Sequence, residues 1–166
     1  NLLKHNAATY LEGLGCKITL RAGRLYIDCD DDKAEKVEFT LKHLIGITGW
    51  AKATVCDKSI EAISKAVFNL AKIEADKGCK TFKIDARRSD KAFPLNSYQI
   101  CCEAAGDVES IMKVDVHHPD TIIYVEVRER VFVFVDSNTG CRGLPVGSSG
   151  KGLLLLSGGL DSPVAG

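Results

Sequence analysis

The sequence predicts an α+β protein: two small units of helix and strand, followed by the first strand and phosphate loop of a truncated α/β domain. Three observations predict it. Segments of helical and of alternating apolar spacing succeed one another from the start of the chain to about residue 136. A Gly- and Ser-rich stretch, SNTGCRGLPVGSSGKG, breaks that alternation from Ser137 to Gly152 and reads as an interdomain linker. The unbroken apolar run Leu153 to Leu156 then leads into a Gly pair. A parallel strand buried on both faces leads into a phosphate loop in this way.

In the first unit, Leu3, Ala7, Tyr10 and Leu14 fall on one helical face and Gly15 supplies the stop. Strands at Lys17–Arg21 and Arg24–Cys29 meet in a tight turn at Ala22-Gly23. The acids Asp28, Asp30, Asp31 and Asp32 then precede a second helix reaching about Leu44, where the helix dipole favours negative charge and capping. Gly46 and Gly49 mark a break. In the second unit, Trp50–Cys56 reads as a strand, with Trp50 as packing. Ser59 reads as the cap of a long helix burying Ile60, Ile63, Val67, Leu70 and Ile73, closed by Lys77-Gly78. Thr81–Arg88 alternates as a strand, Phe82, Ile84 and Ala86 against Lys83, Asp85 and Arg87. A helix over Asn96–Met112 and strands over Thr121–Arg128 and Val131–Asp136 complete the unit.

Composition limits the class. In 166 residues, 45% hydrophobic and 27% charged side chains are globular proportions and argue against a disordered tail. The formal net charge is zero, so nucleic-acid binding would need a local basic face. Seven cysteines at unpaired spacings, without C-x-x-C, predict reduced and mostly buried thiols and no zinc site. No apolar run approaches the roughly 20 residues that span a bilayer, so no membrane partner is expected. A soluble cytoplasmic protein is the expectation. His117-His118 precedes Pro119 in an extended segment, where neighbouring side chains diverge, so no metal is assigned there.

The chemistry lies in Ser157-Gly158-Gly159-Leu160-Asp161-Ser162, followed by Pro163. Glycines at 158 and 159 open backbone angles closed to other residues, so that successive N–H groups converge on an anion. The hydroxyls of Ser157 and Ser162 add donors. Pro163 suits the first helical position, with Ser162 or Asp161 as cap; alternatively Asp161 helps hold magnesium on the phosphates. A Walker loop does not fit around Lys151, because Pro145 and Gly152 stand where Gly and Ser or Thr are required.

SGGLDS resembles the PP-loop of ATP pyrophosphatases. With RRSDKAFPLNS at 87–97, VEVR at 125–128 and GLPVGSSGKGLLLLSGGLDSPVAG at 143–166, the chain resembles the tRNA 4-thiouridine synthetases, also called thiamine-biosynthesis sulfurtransferases. The resemblance implies a ferredoxin-like domain at 1–45, a THUMP RNA-binding domain at 46–137, a linker at 138–152 and the start of a pyrophosphatase domain at 153–166. It implies ATP and Mg2+ in the complete parent, with Leu155 and Leu156 lining the adenine side and Ser157, Gly158, Gly159, Asp161 and Ser162 on the phosphates. The implied reaction adenylates uridine of tRNA, and sulfur from a persulfide, loaded by a cysteine desulfurase, then displaces AMP. A link to thiamine thiazole synthesis, binding of the tRNA acceptor end and room for a homodimer are implied too. By the same resemblance the chain starts inside the first helix of the ferredoxin-like domain and stops inside the first helix of the pyrophosphatase domain. The sulfur-handling cysteine then lies downstream, no residue here is catalytic, and the chain alone is expected to be inactive.

The basic face expected to meet RNA lies between Lys80 and Lys91, where Lys80, Lys83, Arg87, Arg88 and Lys91 outnumber Asp85 and Asp90. Lys83 and Arg87 share the polar side of their strand, Arg88 ends its core-facing side, and Arg128 and Arg130 are weaker candidates at the next hairpin. Two rival readings stand beside this one: a stand-alone RNA-binding module, and a PP-loop ligase or amidotransferase acting on a small molecule. A THUMP-bearing methyltransferase conflicts with SGGLDS, since a methyl donor needs no pyrophosphate loop.

Overall fold

A computed structural model describes residues 2–135 and 137–166. They divide into two compact units, Asn1–Trp50 with Thr139–Gly166, and Ala51–Asn138. The α+β class expected from the sequence is the class found.

In the first unit, α1 (Leu2–Tyr10) buries Ala7. Tyr10, expected on the buried face, is 58% exposed, and Leu11 is buried instead. The buried row follows the i to i+4 step from Leu3 through Ala7 to Leu11, which leaves Tyr10 to one side. β1 (Lys17–Arg21) and β2 (Arg24–Asp28) pair antiparallel. Ala22 (φ 46°) and Gly23 (φ 75°) are both left-handed, as a two-residue hairpin turn of matching twist requires. A 3-10 turn at Asp31–Lys33 leads into α2 (Ala34–His43). Asp30, at the cap position of that turn, makes no side-chain cap bond and forms an ion pair with Lys33 at 2.8 Å instead. β3 is short (Gly49–Trp50).

The second unit holds β4 (Thr54–Cys56), α3 (Ile60–Asp76), β5 (Thr81–Arg88), α4 (Ser97–Ala105), β6 (Lys113–Val114), β7 (Thr121–Val127) and β8 (Val131–Phe134). The strand expected over Trp50–Cys56 is thus broken between β3 and β4. Ser59 caps α3 by accepting the amide of Ala62, and Asn96 with Gln99 forms a capping box on α4. The helix expected to run to Met112 ends at Gly106; Val108 and Met112 beyond it still reach the core. Ile73, expected in the buried stripe of α3, is exposed, while Ala66, Ala71 and Glu74 are buried. Glu74 meets Lys77 at 2.6 Å.

The sheet runs β4-β8-β7-β5-β6, with β5 parallel to β7 and β6 and the remaining pairs antiparallel. Register places Ile84 beside Ile123, Ala86 beside Val125 and Val125 beside Val133. These residues pack with Ile63, Val67 and Ile100 of the two helices into the unit's core. None of the seven cysteines is in a disulfide; four are half-buried and Cys29, Cys102 and Cys141 exposed, so the expected mostly buried thiols are not found. The end of the expected strand at Asp136 lies outside the described residues.

After β9 (Asn138–Thr139), which pairs with β3, the Gly- and Ser-rich stretch is built into the first unit. Arg142 donates its amide to Ile47 O and accepts that of Gly46 at its own carbonyl, both at 2.8 Å; Asn6 Nδ2 donates to Val146 O at 3.0 Å. A Cβ on Gly140 would stand 2.5 Å from the Ile47 carbonyl oxygen, so the absent side chain permits the approach. Leu153 to Leu156 form no strand here and are exposed, against the expected buried strand. A strand buried on both faces needs paired strands and covering helices, which the described residues do not supply around it. The short α5 (Asp161–Ala165) ends the chain.

Candidate nucleic-acid interface

β5 presents its side chains by parity. Phe82, Ile84 and Ala86 enter the core, and Lys83, Asp85 and Arg87 stand on the helix-free face. Arg87 meets Asp85 at 3.7 Å and remains largely exposed. Arg88 falls on the core side, half-buried, where Nη1 donates to Phe93 O at 2.8 Å. Lys91 lies exposed in the loop beyond. Lys80 is exposed at the other end of the strand, roughly 23 Å from Arg87 at about 3.3 Å per residue. The five cations expected as one face therefore divide. Lys83 and Arg87 share one face of β5, Lys91 is exposed in the loop beyond it, Arg88 is occupied internally, and Lys80 stands at the opposite end of the strand.

Because β5 and β7 run parallel, Arg87 and Arg88 end beside Glu126 and Val127, with Arg128 just past them. Arg128 Nε donates to Glu126 Oε2 at 2.9 Å, with the two side chains 21% and 5% exposed. The joined carboxyl ends of parallel strands are a habitual ligand position in α/β sheets. The loop after β5 is pinned there: Ser89 donates its amide to Val127 O, and Asp90 accepts the amide of Ala92 and pairs with Lys58 at 2.7 Å. Lys58 first, and the Ala92 amide second, hold the Asp90 carboxyl below its ordinary value.

Sequence parity did not reveal what lies beside Lys83 and Arg87. Across β7 and β8 the same face carries Tyr124 stacked on Phe134 (centroids 5.2 Å, 19°) and Arg130 over Phe132 at 5.5 Å. The signal is present in the alternation of both strands, but it becomes a cluster only through the register that sets Tyr124 opposite Phe134. His117 and His118 donate their amides to Asp115 Oδ1, which shapes the loop before β7.

At the phosphate loop, Ser157 and Ser162 hydroxyls lie 2.9 Å apart; Ser157 N donates to Ser162 Oγ at 3.0 Å and Gly159 N to Ser157 Oγ at 3.3 Å. The two amides and two hydroxyls thus bond one another and close the loop on itself. Gly158 and Gly159 are not among the left-handed residues, contrary to expectation. α5 begins at Asp161 with Leu160 as a cap that makes no side-chain bond. Ser162, one of the expected caps, spends its hydroxyl on Ser157, and Pro163 falls third in the helix. Leu155 and Leu156 are exposed, so no adenine wall stands beside the loop among the described residues. Amides and hydroxyls are the chemistry that holds phosphate oxygens, while Leu155 and Leu156 as placed wall off no base.

Comparison with known proteins decides the family. The THUMP domain model matches residues 57–136. A probable tRNA sulfurtransferase of Treponema pallidum (strain Nichols) is 45% identical over 99% of this chain and 42% of its own length. One from Caldanaerobacter subterraneus is 42% identical over 91% of this chain and 40% of its own. This chain belongs to the tRNA sulfurtransferase family. A crystal structure of a 4-thiouridine synthetase–RNA complex with bound ATP superposes with a TM-score of 0.83 at 34% identity, over 99% of this chain and 42% of that one. A Pyrococcus horikoshii protein shares the fold, with a TM-score of 0.81 at 24% identity over 89% of this chain and 52% of its own. The chain spans less than half the length of the sulfurtransferases it matches. Among the described residues, no helix is long and apolar enough to cross a membrane.

Proposed function

We propose that this chain is the tRNA-gripping part of an ATP-dependent tRNA sulfurtransferase that makes 4-thiouridine. The observation that carries the reading is the basic carboxyl end of β5 and β7 within the THUMP match, supported by the similarity to a synthetase solved with RNA and ATP. Lys83, Arg87 and Lys91 supply phosphate contacts at the tRNA acceptor end. Arg88 and Arg128 shape that end through Phe93 and Glu126. Ser157, Gly158, Gly159, Asp161 and Ser162 hold the ATP phosphates with magnesium. Bound ATP supplies the adenylyl group that makes the uridine C4 oxygen a good leaving group, and the loop's fixed donors stabilise the charge that develops. The reading calls for a cysteine desulfurase as sulfur donor, a cytoplasmic setting and a homodimer, with thiamine synthesis as a second sulfur sink.

A gel shift with tRNA and with an acceptor-stem minihelix tests the grip. Both should bind at low salt, and Arg87→Ala with Lys91→Ala should weaken both alike. Absence of binding by the folded chain at low salt overturns the reading. In a protein carrying the whole pyrophosphatase domain, Asp161→Ala should abolish pyrophosphate release and leave tRNA binding intact. Undiminished release overturns the assignment of the loop.

A further inference from the structure

The helices α3 and α4 cover one face of the five-stranded sheet, and the main core of β5, β7 and β8 packs there, while Phe132 of β8 is buried on the opposite face. The opposite face is unlike an ordinary solvated surface. Its centre is aromatic: Tyr124 of β7 and Phe134 of β8 are cross-strand partners, stacked and half-buried. One edge is cationic. Lys83 and Arg87 project from β5, the strand next to β7, and register sets Asp85, between them, beside Tyr124. The face carries acids as well, but Asp85 meets Arg87, and Glu126, 4% exposed, is paired with Arg128.

Rings bordered by cations at neighbouring strand positions are what single-stranded nucleic acid needs. Bases stack on aromatic faces whatever their sequence, while phosphates track the charged border. Strand spacing of about 4.8 Å brings Lys83 and Arg87 within side-chain reach of a backbone whose bases lie over Tyr124. A duplex offers no base faces to such a surface, and an acidic peptide would use the cations without the rings. We propose that the Tyr124–Phe134 pair is a stacking platform for unpaired nucleotides, with Lys83 and Arg87 as its phosphate contacts. The proposal rests on the RNA-binding reading above and adds to it the class of nucleotide and the residues that take the bases.

The probes are short oligo-adenylate, oligo-uridylate and an abasic oligonucleotide with the same number of phosphates, titrated against the folded chain. Adenine stacks well, uracil poorly and the abasic backbone not at all, so affinity should fall in that order. Tyr124→Leu keeps the apolar bulk and removes the ring. It should cost about five- to tenfold for oligo-adenylate, leave the abasic probe about unchanged and leave the salt slope intact. Tyr124→Phe should restore the preference. Should Tyr124→Leu not fold, photo-crosslinking of a 5-iodouridine oligonucleotide to the unaltered chain gives the same answer: adducts belong on Tyr124 or Phe134. Equal affinity for all three probes, a preference that survives Tyr124→Leu, or adducts only elsewhere would overturn the platform while tRNA binding stands. Failure to bind tRNA itself overturns the RNA reading instead.

Discussion

Arg88 Nη1 donates to the carbonyl oxygen of Phe93 at 2.8 Å and ties the loop after β5 to the end of its own strand. Arg87, the preceding residue, points to the other face and keeps its guanidinium largely in solvent. Two adjacent arginines of one motif therefore do different work, and single substitutions should separate them. Arg88→Ala leaves the Phe93 carbonyl without this charged donor and should cost about 1–3 kcal/mol of stability. Arg87→Ala should stay within about 0.5 kcal/mol and weaken tRNA binding instead. Thermal unfolding and a gel shift on both variants check the split; equal loss of stability in the two would refute it.

Asp120 sits at the start of β7 and accepts the amides of Lys80 and Thr81 at 2.8 and 3.0 Å, while its own amide donates to Thr81 Oγ1. The two amides, Lys80's first, hold its carboxyl below the ordinary value. A carboxyl depressed by folding stabilises at pH above its unfolded value, about 3.9, and that stability is lost as pH falls through the folded value. Asp90 and Asp115 are shifted in the same direction, by Lys58 and by the His118 and His117 amides. Melting temperature should therefore fall on acidification below about pH 4. Asp120→Asn should lower it at pH 7 and shrink the difference between pH 7 and pH 3. An unchanged difference would show that the carboxylate contributes nothing to the pH dependence.

The Gly- and Ser-rich composition of 138–152 reads as a tether, but part of it is packed, and glycine is the reason in both cases. Gly140→Ala would push Cβ to 2.5 Å from the Ile47 carbonyl oxygen, backbone against backbone. Overpacking of that kind costs about 1–3 kcal/mol. Gly152→Ala, where a Cβ meets nothing within 4 Å, should be neutral. Limited proteolysis and thermal unfolding of the two variants measure the contrast. Equal resistance would mean that the segment is a tether after all.

The same case shows where sequence reading reached and where it stopped. The alternation of Thr81–Arg88 was legible to the residue, because strand period and burial coincide there and Arg88 falls on the core side by parity. The cap at Ser59 was legible as a local hydrogen bond, whereas Asn96, read as the first helical residue, is the cap of α4. What failed depended on partners distant in sequence. Burial of Leu11 in place of Tyr10 turns on what α1 packs against. The strand expected at Leu153–Leu156 depends on neighbours the described residues do not provide. The Tyr124–Phe134 stack requires the β7–β8 register, which no single segment specifies. The phosphate loop was legible as a motif, yet its serine-to-serine closure and the start of α5 at Asp161 follow from where one hydroxyl is spent.

With zero net charge, the salt dependence of tRNA binding tests how many cations the interface uses. Five basic residues between Lys80 and Lys91 would allow five phosphate contacts, but the structure withdraws two. Arg88 is committed to Phe93, and Lys80 stands at the far end of β5. Three remain, Lys83, Arg87 and Lys91. Each contact contributes about 0.7–0.9 to the fall of log affinity with log salt, so the slope should be about −2 to −3. Lys83→Ala with Arg87→Ala should flatten it by about 1.5 and weaken all tRNAs alike, since phosphate contacts carry no sequence. Lys80→Ala should leave the slope unchanged. A slope of about −4, with Lys80→Ala as damaging as Lys83→Ala, would mean that Lys80 joins the interface and that RNA follows the whole length of β5.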